Sequence, residues 1–193
     1  MKKIGCFFGT FDPIHNGHLK LVNFFVNETD LDEVWIIISP LNPLKSESVI
    51  TKEDRFKMAE ISLMNKNNIR ISKIEFFMNK PNYTINTLNE LSTQNPENNF
   101  VLLIGEDNLN RFNEWKNHKE ILKSHMLYVY PRRTDFSIPK EFKNNPKIKL
   151  FNAPIIKNSS SQIRKNLEEN IDVSNLIHPK VYKYIKDNKI YII

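Results

Sequence analysis

Two histidines near the start of the chain, His15 and His18, are spaced so that they could act together on a phosphate group. If a helix begins here, their side chains would share one face of its first turn. A helix N-terminus also presents free backbone N–H groups and a partial positive charge, which favour a bound phosphate. Two imidazoles beside such a terminus would form an anion site that stabilises charge on a reacting phosphate. The alternative is a helix whose first turn contains two histidines by chance.

The residues around the two histidines predict a turn that joins a buried strand to a helix. The apolar run over residues 4–8 is typical of a buried strand, and residues 19–26 carry apolar side chains at helical spacing. Gly9 and Gly17 flank the turn, and both would let the backbone approach a ligand closely. We therefore expect a ligand site at the beginning of the first helix.

A second stretch, residues 158–164, combines three serines with an arginine. Ser159 and Gln162 have the spacing of a capping box, so a helix is predicted to begin here. Serine hydroxyls and free N–H groups at that helix start would form a second anion site. If the helix begins at Ser160, Arg164 lies one turn further on the same face. The alternative is a serine that only caps a helix.

The remaining chain alternates between apolar runs typical of strands and stretches typical of helices. Near-continuous apolar runs mark parallel strands that are buried on both faces, and a strand–helix–strand unit of this kind is right-handed. Further strands are predicted at 34–38, 69–77 (one or two short strands), 100–104, 126–130 and 148–151, and helices at about 51–65, 84–95 and from 179. The pattern indicates an α/β fold.

Composition limits the classes of protein to which the chain can belong. Its 193 residues suit one domain. Its net charge of +6 and pI near 9.3 favour anionic ligands, whereas the dispersal of its lysines argues against nucleic-acid binding. The single Cys6 excludes an internal disulfide and fits a reducing compartment. No apolar run has membrane-spanning length, and none resembles a signal peptide. We expect a cytoplasmic protein, either a monomer or an oligomer.

Residues 9–18, Gly-Thr-Phe-Asp-Pro-Ile-His-Asn-Gly-His, resemble the signature of the nucleotidylyltransferase superfamily with the His-x-Gly-His motif. The resemblance implies a Rossmann-like, doubly wound parallel sheet in a single domain over residues 1–193, with a small helical part at about 158–193. It also implies transfer of a nucleotidyl group from ATP or CTP to a phosphate, with release of pyrophosphate.

Along nearly its whole length the chain resembles the bacterial-type nicotinate (nicotinamide) mononucleotide adenylyltransferases. Residues 159–164, Tyr83-Thr84 and Trp115 are the pieces that select this family. The matching pieces follow the first motif in the family's order: Pro43 and Lys45, Tyr83-Thr84 with Thr87-Leu88, Gly105, Asp107 and Trp115, Pro131-Arg132, residues 159–164, and Val181, Tyr184-Ile185 and Ile190-Tyr191 near the end. The chain departs from the family's usual pattern at three positions, Phe8, Leu44 and Asn86.

The resemblance also implies a role for individual residues. His15, His18 and Arg164 would be catalytic. Contacts to ATP are implied for Gly9, Thr10, Phe11, His15, His18, Gly105, Asp107, Ser160 and Arg164. Contacts to the mononucleotide are implied for Lys45, Tyr83, Thr84, Trp115 and Arg132. Within these sets, Trp115 would stack on the pyridine ring, and Tyr83 and Thr84 would meet its carboxylate or amide.

The implied reaction is attack by the mononucleotide phosphate on the α-phosphorus of ATP, which gives a dinucleotide for NAD biosynthesis. Because the nucleophile is already an anion, no general base is needed, and catalysis rests on positioning and charge stabilisation. Mg²⁺ is expected to arrive on the ATP phosphates. The sequence leaves open whether nicotinate or nicotinamide mononucleotide is preferred.

Three other interpretations remain open. Phosphopantetheine adenylyltransferases share the first motif, but they typically have Lys where Arg164 stands and lack the context of Trp115. Glycerol-phosphate cytidylyltransferases usually have Leu where Pro13 stands. A non-catalytic nucleotide-binding or RNA-binding protein on the same fold is the third alternative, and the intact histidine pair disfavours it.

Overall fold

The centre of the molecule is a parallel sheet of six strands, seen in a computed structural model that describes residues 1–40, 50–64, 66–134 and 138–191. The strands lie in the order β3-β2-β1-β4-β5-β6, and every neighbouring pair is parallel. Their bounds are β1 Lys2–Gly9, β2 Glu33–Ile38, β3 Ile69–Ser72, β4 Asn98–Gly105, β5 Met126–Tyr130 and β6 Ile148–Leu150. This order confirms the predicted Rossmann-like sheet.

Helices follow the strands along the chain. The helices that the structure describes are α1 Asn16–Glu28, α2 Lys52–Ser62, α3 Thr84–Gln94, α4 Glu106–Leu109, α5 His118–Ser124, α6 Ser160–Glu168 and α7 Pro179–Asp187. Thr51 caps α2 as predicted, by accepting from the backbone N–H of Asp54. The prediction of strand over 69–77 is wrong in its second half, because Ile74–Phe76 forms a 3₁₀ turn after β3.

The sheet is covered on both faces, so its central strands alternate between two apolar layers. Along β1, Ile4 and Cys6 belong to the layer with α3 and α5, whereas Phe7 belongs to the layer with α1, α2, α6 and α7. Along β4, Leu102 and Leu103 divide in the same way. This burial on both faces is why the strands read as continuous apolar runs in the sequence.

Strands β1 and β4 are neighbours at the middle of the sheet, and the connections that follow them run to opposite faces of the sheet. After β1 it enters α1 on one face, and after β4 it enters α4 and α5 on the other. A crevice forms at the carboxyl ends of strands where connections diverge in this way, and open α/β sheets bind ligands there. Within the described ranges, no helix has both the length and the apolar character needed to cross a bilayer.

Candidate active site

A cleft of ≈ 660 Å³ lies at the carboxyl ends of β1 and β4, where the fold predicts a ligand site. It is lined by the turn after β1, the start of α3, the segment after β4, the end of β5 and the start of α6. The predicted site residues that line it are Gly9, Thr10, Phe11, His15, His18, Tyr83, Thr84, Asp107, Trp115, Arg132, Ser160 and Arg164. The structure thus brings together residues from both ends of the chain.

The two histidines cap α1 reciprocally. The backbone N–H of His18 donates to Nδ1 of His15 at 3.4 Å, and the backbone N–H of His15 donates to Nδ1 of His18 at 3.2 Å. The rings are stacked, with centroids 3.6 Å apart. Because each Nδ1 accepts a hydrogen bond, a neutral ring must hold its proton on Nε2. The capping box therefore leaves each imidazole with an Nε2–H donor.

His15 is held in its neutral form by its surroundings. The residue is buried at the base of the cleft, and burial together with the positive charge of Arg132 lowers its pKa to about 4. At neutral pH this imidazole therefore acts as a hydrogen-bond donor and acceptor without a net charge.

The glycine between the histidines makes room for protein side chains. A Cβ added at Gly17 would lie 2.2 Å from Cγ2 of Ile156 and 2.9 Å from the ring of His15. A Cβ added at Gly9 would lie 2.9 Å from the ring of Phe11. At both positions the side-chain space is thus taken by neighbouring residues, while Gly9 also lines the cleft; close approach of a ligand to these glycines stays a prediction.

Helix α6 begins where the sequence predicts, but with a simpler cap. The backbone N–H of Gln162 donates to Oγ of Ser159 at 3.2 Å. The side chain of Gln162 donates to Asn166 at 2.7 Å, one turn further along the helix, and so is directed away from the helix start. The predicted capping box is therefore only half formed.

The start of α6 is fastened to the turn that follows β1. Oγ of Ser160 donates to the carbonyl of Pro13 at 3.0 Å, and Nη1 of Arg164 donates to the carbonyl of Asp12 at 2.7 Å. These two bonds connect segments at opposite ends of the chain. They place the serine–arginine stretch beside the histidine pair, so the N-termini of α1 and α6 face one cleft.

The buried side chain of Arg55, in α2, holds the turn that follows β1. Its Nη1 donates to the carbonyls of Thr10 at 2.6 Å and Ser39 at 2.7 Å, and its Nη2 donates to the carbonyl of Pro40 at 2.9 Å. The guanidinium therefore joins the carboxyl ends of β1 and β2. Sequence reasoning missed this residue, because nothing in a helix with several charged residues marks one arginine as buried.

Asp107 and Arg132 form an ion pair at the end of β4, with Nε and Oδ1 separated by 3.5 Å. Gly105, which precedes α4, makes the arrangement possible, since a Cβ there would lie 2.3 Å from Oδ1 of Asp107. Arg132 also acts electrostatically on His15. Arg132, for which a contact to the mononucleotide is implied, thus lies next to Asp107, for which a contact to ATP is implied. The contact of Arg132 to the mononucleotide stays a prediction.

The far side of the cleft carries aromatic and buried polar groups. Tyr83 precedes α3 without capping it, and Nζ of Lys116 lies 4.3 Å from the centre of the Tyr83 ring. Trp115 packs against Phe112, with ring centroids 5.4 Å apart, and is only partly buried. An aromatic ring open to the cleft on one side can stack on a planar ligand.

Glu75 and Asn82 are buried polar residues in the wall of this part of the cleft. Oγ1 of Thr87 donates to Oε1 of Glu75 at 2.8 Å, and the Asn82 amide donates to the Glu75 carbonyl at 3.2 Å. Burial raises the pKa of Glu75 despite the bond from Thr87. Glu75 is therefore a carboxyl group in the cleft wall whose charged form is disfavoured by its burial.

Comparison with known proteins agrees with this geometry. The family model described as Cytidylyltransferase-like matches residues 6–166. Relatives named nicotinate-nucleotide adenylyltransferase include one from Flavobacterium psychrophilum, 41% identical over 98% of both chains, and one from Cytophaga hutchinsonii, 43% identical over 98% of both chains.

The chain belongs to the nicotinate-nucleotide adenylyltransferase family. Its fold is also that of the Plasmodium falciparum nicotinic acid mononucleotide adenylyltransferase solved in complex with NaAD, at a TM-score of 0.80 and 24% identity over 99% of this chain and 98% of that chain. The predicted family is therefore confirmed.

The positions at which this member departs from the family pattern lie in different environments. Phe8 lines the cleft and packs against the apolar layer that contains α3 and α5. Asn86 is exposed on α3. Leu44 and the implied mononucleotide contact Lys45 lie outside the described residues.

Proposed function

We propose that this protein transfers the adenylyl group of ATP to nicotinate mononucleotide, which releases pyrophosphate and forms the dinucleotide used in NAD biosynthesis. The observation that carries the proposal is the convergence of His15, His18 and Arg164 on one cleft at the carboxyl end of the sheet. Membership of the nicotinate-nucleotide adenylyltransferase family supports it independently.

In the proposed reaction, a phosphate oxygen of the mononucleotide attacks the α-phosphorus of ATP, and the bond from that phosphorus to the bridging oxygen of the β-phosphate breaks. The nucleophile is already an anion, so no proton has to be removed. Negative charge accumulates on the α-phosphate and on the departing pyrophosphate. Nε2–H donors of His15 and His18 would stabilise the first of these charges, and Arg164 the second.

We propose that Mg²⁺ enters as part of the MgATP substrate, because Mg²⁺ prefers phosphate oxygens and water as ligands. Asp12 and Asp107 are the aspartates that line the cleft, and each contacts an arginine. In the described part of the chain, no group of three acidic, histidine or cysteine side chains is arranged to hold a metal ion.

The pyridine side of the cleft favours nicotinate over nicotinamide. Thr84 begins α3, and a helix N-terminus presents N–H donors and a partial positive charge that suit a carboxylate. The ammonium group of Lys116 adds positive charge nearby. Glu75 and Glu114 are the acids here that would oppose a bound carboxylate; Glu114 is paired with Arg111, and burial raises the pKa of Glu75.

The proposal is tested by incubating the purified protein with MgATP and, in parallel, nicotinate mononucleotide, nicotinamide mononucleotide or phosphopantetheine. We expect equal amounts of dinucleotide and pyrophosphate with nicotinate mononucleotide, and a lower kcat/KM with the amide. Turnover with phosphopantetheine alone would assign the protein to that rival class. Tight ATP binding without product from any acceptor would identify a non-catalytic nucleotide-binding protein.

A further inference from the structure

We propose that Tyr191, close to the end of the chain, is a positioning residue for this reaction: its hydroxyl holds the Asp12 carboxylate so that Arg164 stays available to the triphosphate. The inference rests on the proposed adenylyl transfer. It concerns a residue that lies outside the cleft and would act on the substrate only through two others.

The contacts of Asp12 carry the inference. Asp12 is buried in the turn that leads to the histidine pair, and the Tyr191 hydroxyl donates to its Oδ1. Nη1 of Arg164 donates to the Asp12 backbone carbonyl at 2.7 Å but lies 3.8 Å from Oδ2. Arg164 is therefore fastened by the backbone, while the carboxylate is directed in part toward the tyrosine.

This division of contacts matters because a carboxylate and a triphosphate compete for the same guanidinium. Without the Tyr191 hydroxyl, Oδ1 of Asp12 loses a hydrogen-bond donor in a buried setting, where such a loss is costly. A rotation of the carboxylate that shortens this 3.8 Å separation by about 1 Å would bring Oδ2 into direct contact with Arg164. A bidentate Arg–carboxylate pair is strong and well oriented, so it would withdraw Arg164 from the substrate.

The backbone turn after α7 positions the Tyr191 hydroxyl next to Asp12. After α7, the backbone N–H of Ile190 donates to the Ile185 carbonyl at 3.0 Å, and Lys189 and Tyr191 both adopt left-handed backbone angles, with φ of 52° and 58°. Such angles are uncommon for residues other than glycine and turn the chain sharply. The turn places the Tyr191 ring in the core beneath the active-site turn.

A second pair in the same molecule provides a matched control. Tyr128 of β5 is also buried, and its hydroxyl donates to Asp30 before β2. Asp30 lies at the amino end of the strands, opposite the cleft. Tyr128→Phe and Tyr191→Phe therefore both remove a buried tyrosine hydroxyl from an aspartate, at the two ends of the sheet, although Asp30 is exposed and Asp12 is buried.

The first experiment measures thermal stability, kcat and both KM values for these two variants. We expect both to lower Tm, but only Tyr191→Phe to lower kcat, by about 10- to 100-fold, the range for losing a hydrogen bond to a charged group. The KM for nicotinate mononucleotide should stay within about twofold of the wild-type value. Equal effects of both variants on kcat, or a wild-type kcat in Tyr191→Phe, would overturn the proposal.

Two further measurements test the route through Arg164. In an Arg164→Ala background, Tyr191→Phe should reduce kcat by less than about twofold, since residues that act as a unit are not additive. Binding of a non-hydrolysable ATP analogue, measured by calorimetry, should weaken in Tyr191→Phe and not in Tyr128→Phe. This binding readout does not depend on the acceptor, so it separates failure of the positioning role from failure of the proposed function. Full additivity, or unchanged analogue binding, would refute the route.

Discussion

Replacing His15 with asparagine should remove a dependence of stability on acid pH. The pKa of His15 is lowered from 6.5 to about 4 in the folded protein. The unfolded chain therefore binds a proton at this residue more readily than the folded chain does. The resulting stability is fully present above pH 6.5 and is lost as the pH falls through 4.

The size of the effect follows from the shift in pKa. A change from 6.5 to about 4 corresponds to about 3 kcal/mol of unfolding free energy, at roughly 1.4 kcal/mol per pKa unit. Little discounting for solvent is needed, because the residue is 3% exposed. Asparagine suits the test because it has no charge at any of these pH values and is a good N-cap, so its oxygen can replace Nδ1 at the start of α1.

The assay is urea unfolding of the wild-type protein and His15→Asn at several pH values between 7 and 4. The wild-type protein should lose about 3 kcal/mol relative to the variant over this range. His178→Asn is a matched control, since His178 caps α7 by accepting from the backbone N–H of Lys180, away from the cleft. Parallel stability curves for the wild-type protein and His15→Asn would refute the reasoning.

Three other substitutions test the cleft. His18→Ala should lower kcat by about 100- to 1000-fold with only a modest loss of ATP affinity, in a pyrophosphate-release assay, because the ring donates where charge develops; full activity would exclude the role. Trp115→Ala should raise the KM for nicotinate mononucleotide about tenfold, as expected for a lost stacking contact, and an unchanged KM would limit Trp115 to packing. Gly17→Ala should lower the free energy of unfolding by about 1–3 kcal/mol in urea, because the added Cβ would lie 2.2 Å from Cγ2 of Ile156. A variant more stable than the wild-type protein would contradict that clash.

The sequence predicted what depends on local pattern. Strands such as β1 and β4 are recognisable because burial on both faces demands continuous apolar runs, and the start of α6 because Ser159 satisfies an N–H group there. Ile74–Phe76 was predicted wrongly as strand because a short apolar run has no period that distinguishes a strand from a single 3₁₀ turn.

What could not be predicted depends on contacts between distant segments. Arg55 and Tyr191 support the active-site turn, yet each is an ordinary residue of its own segment. Glu75 reads as one of many charged residues until the fold buries it beneath α3. The sequence pointed to groups that line the cleft, whereas the groups that hold them in place became visible only in the structure.

The reciprocal cap also explains why the two histidines must be three residues apart. In the usual capping box, a serine or threonine and a glutamate at this spacing satisfy two N–H groups at a helix start. His15 and His18 satisfy the same two groups through Nδ1, and in doing so they fix Nε2 as the donor of each ring. A serine–glutamate pair would begin α1 equally well, but in the proposed reaction it would place a carboxylate beside the bound triphosphate. In the proposed reaction, helix capping and phosphate binding would therefore both be met at this turn by an uncharged side chain that has an acceptor on one edge and a donor on the other.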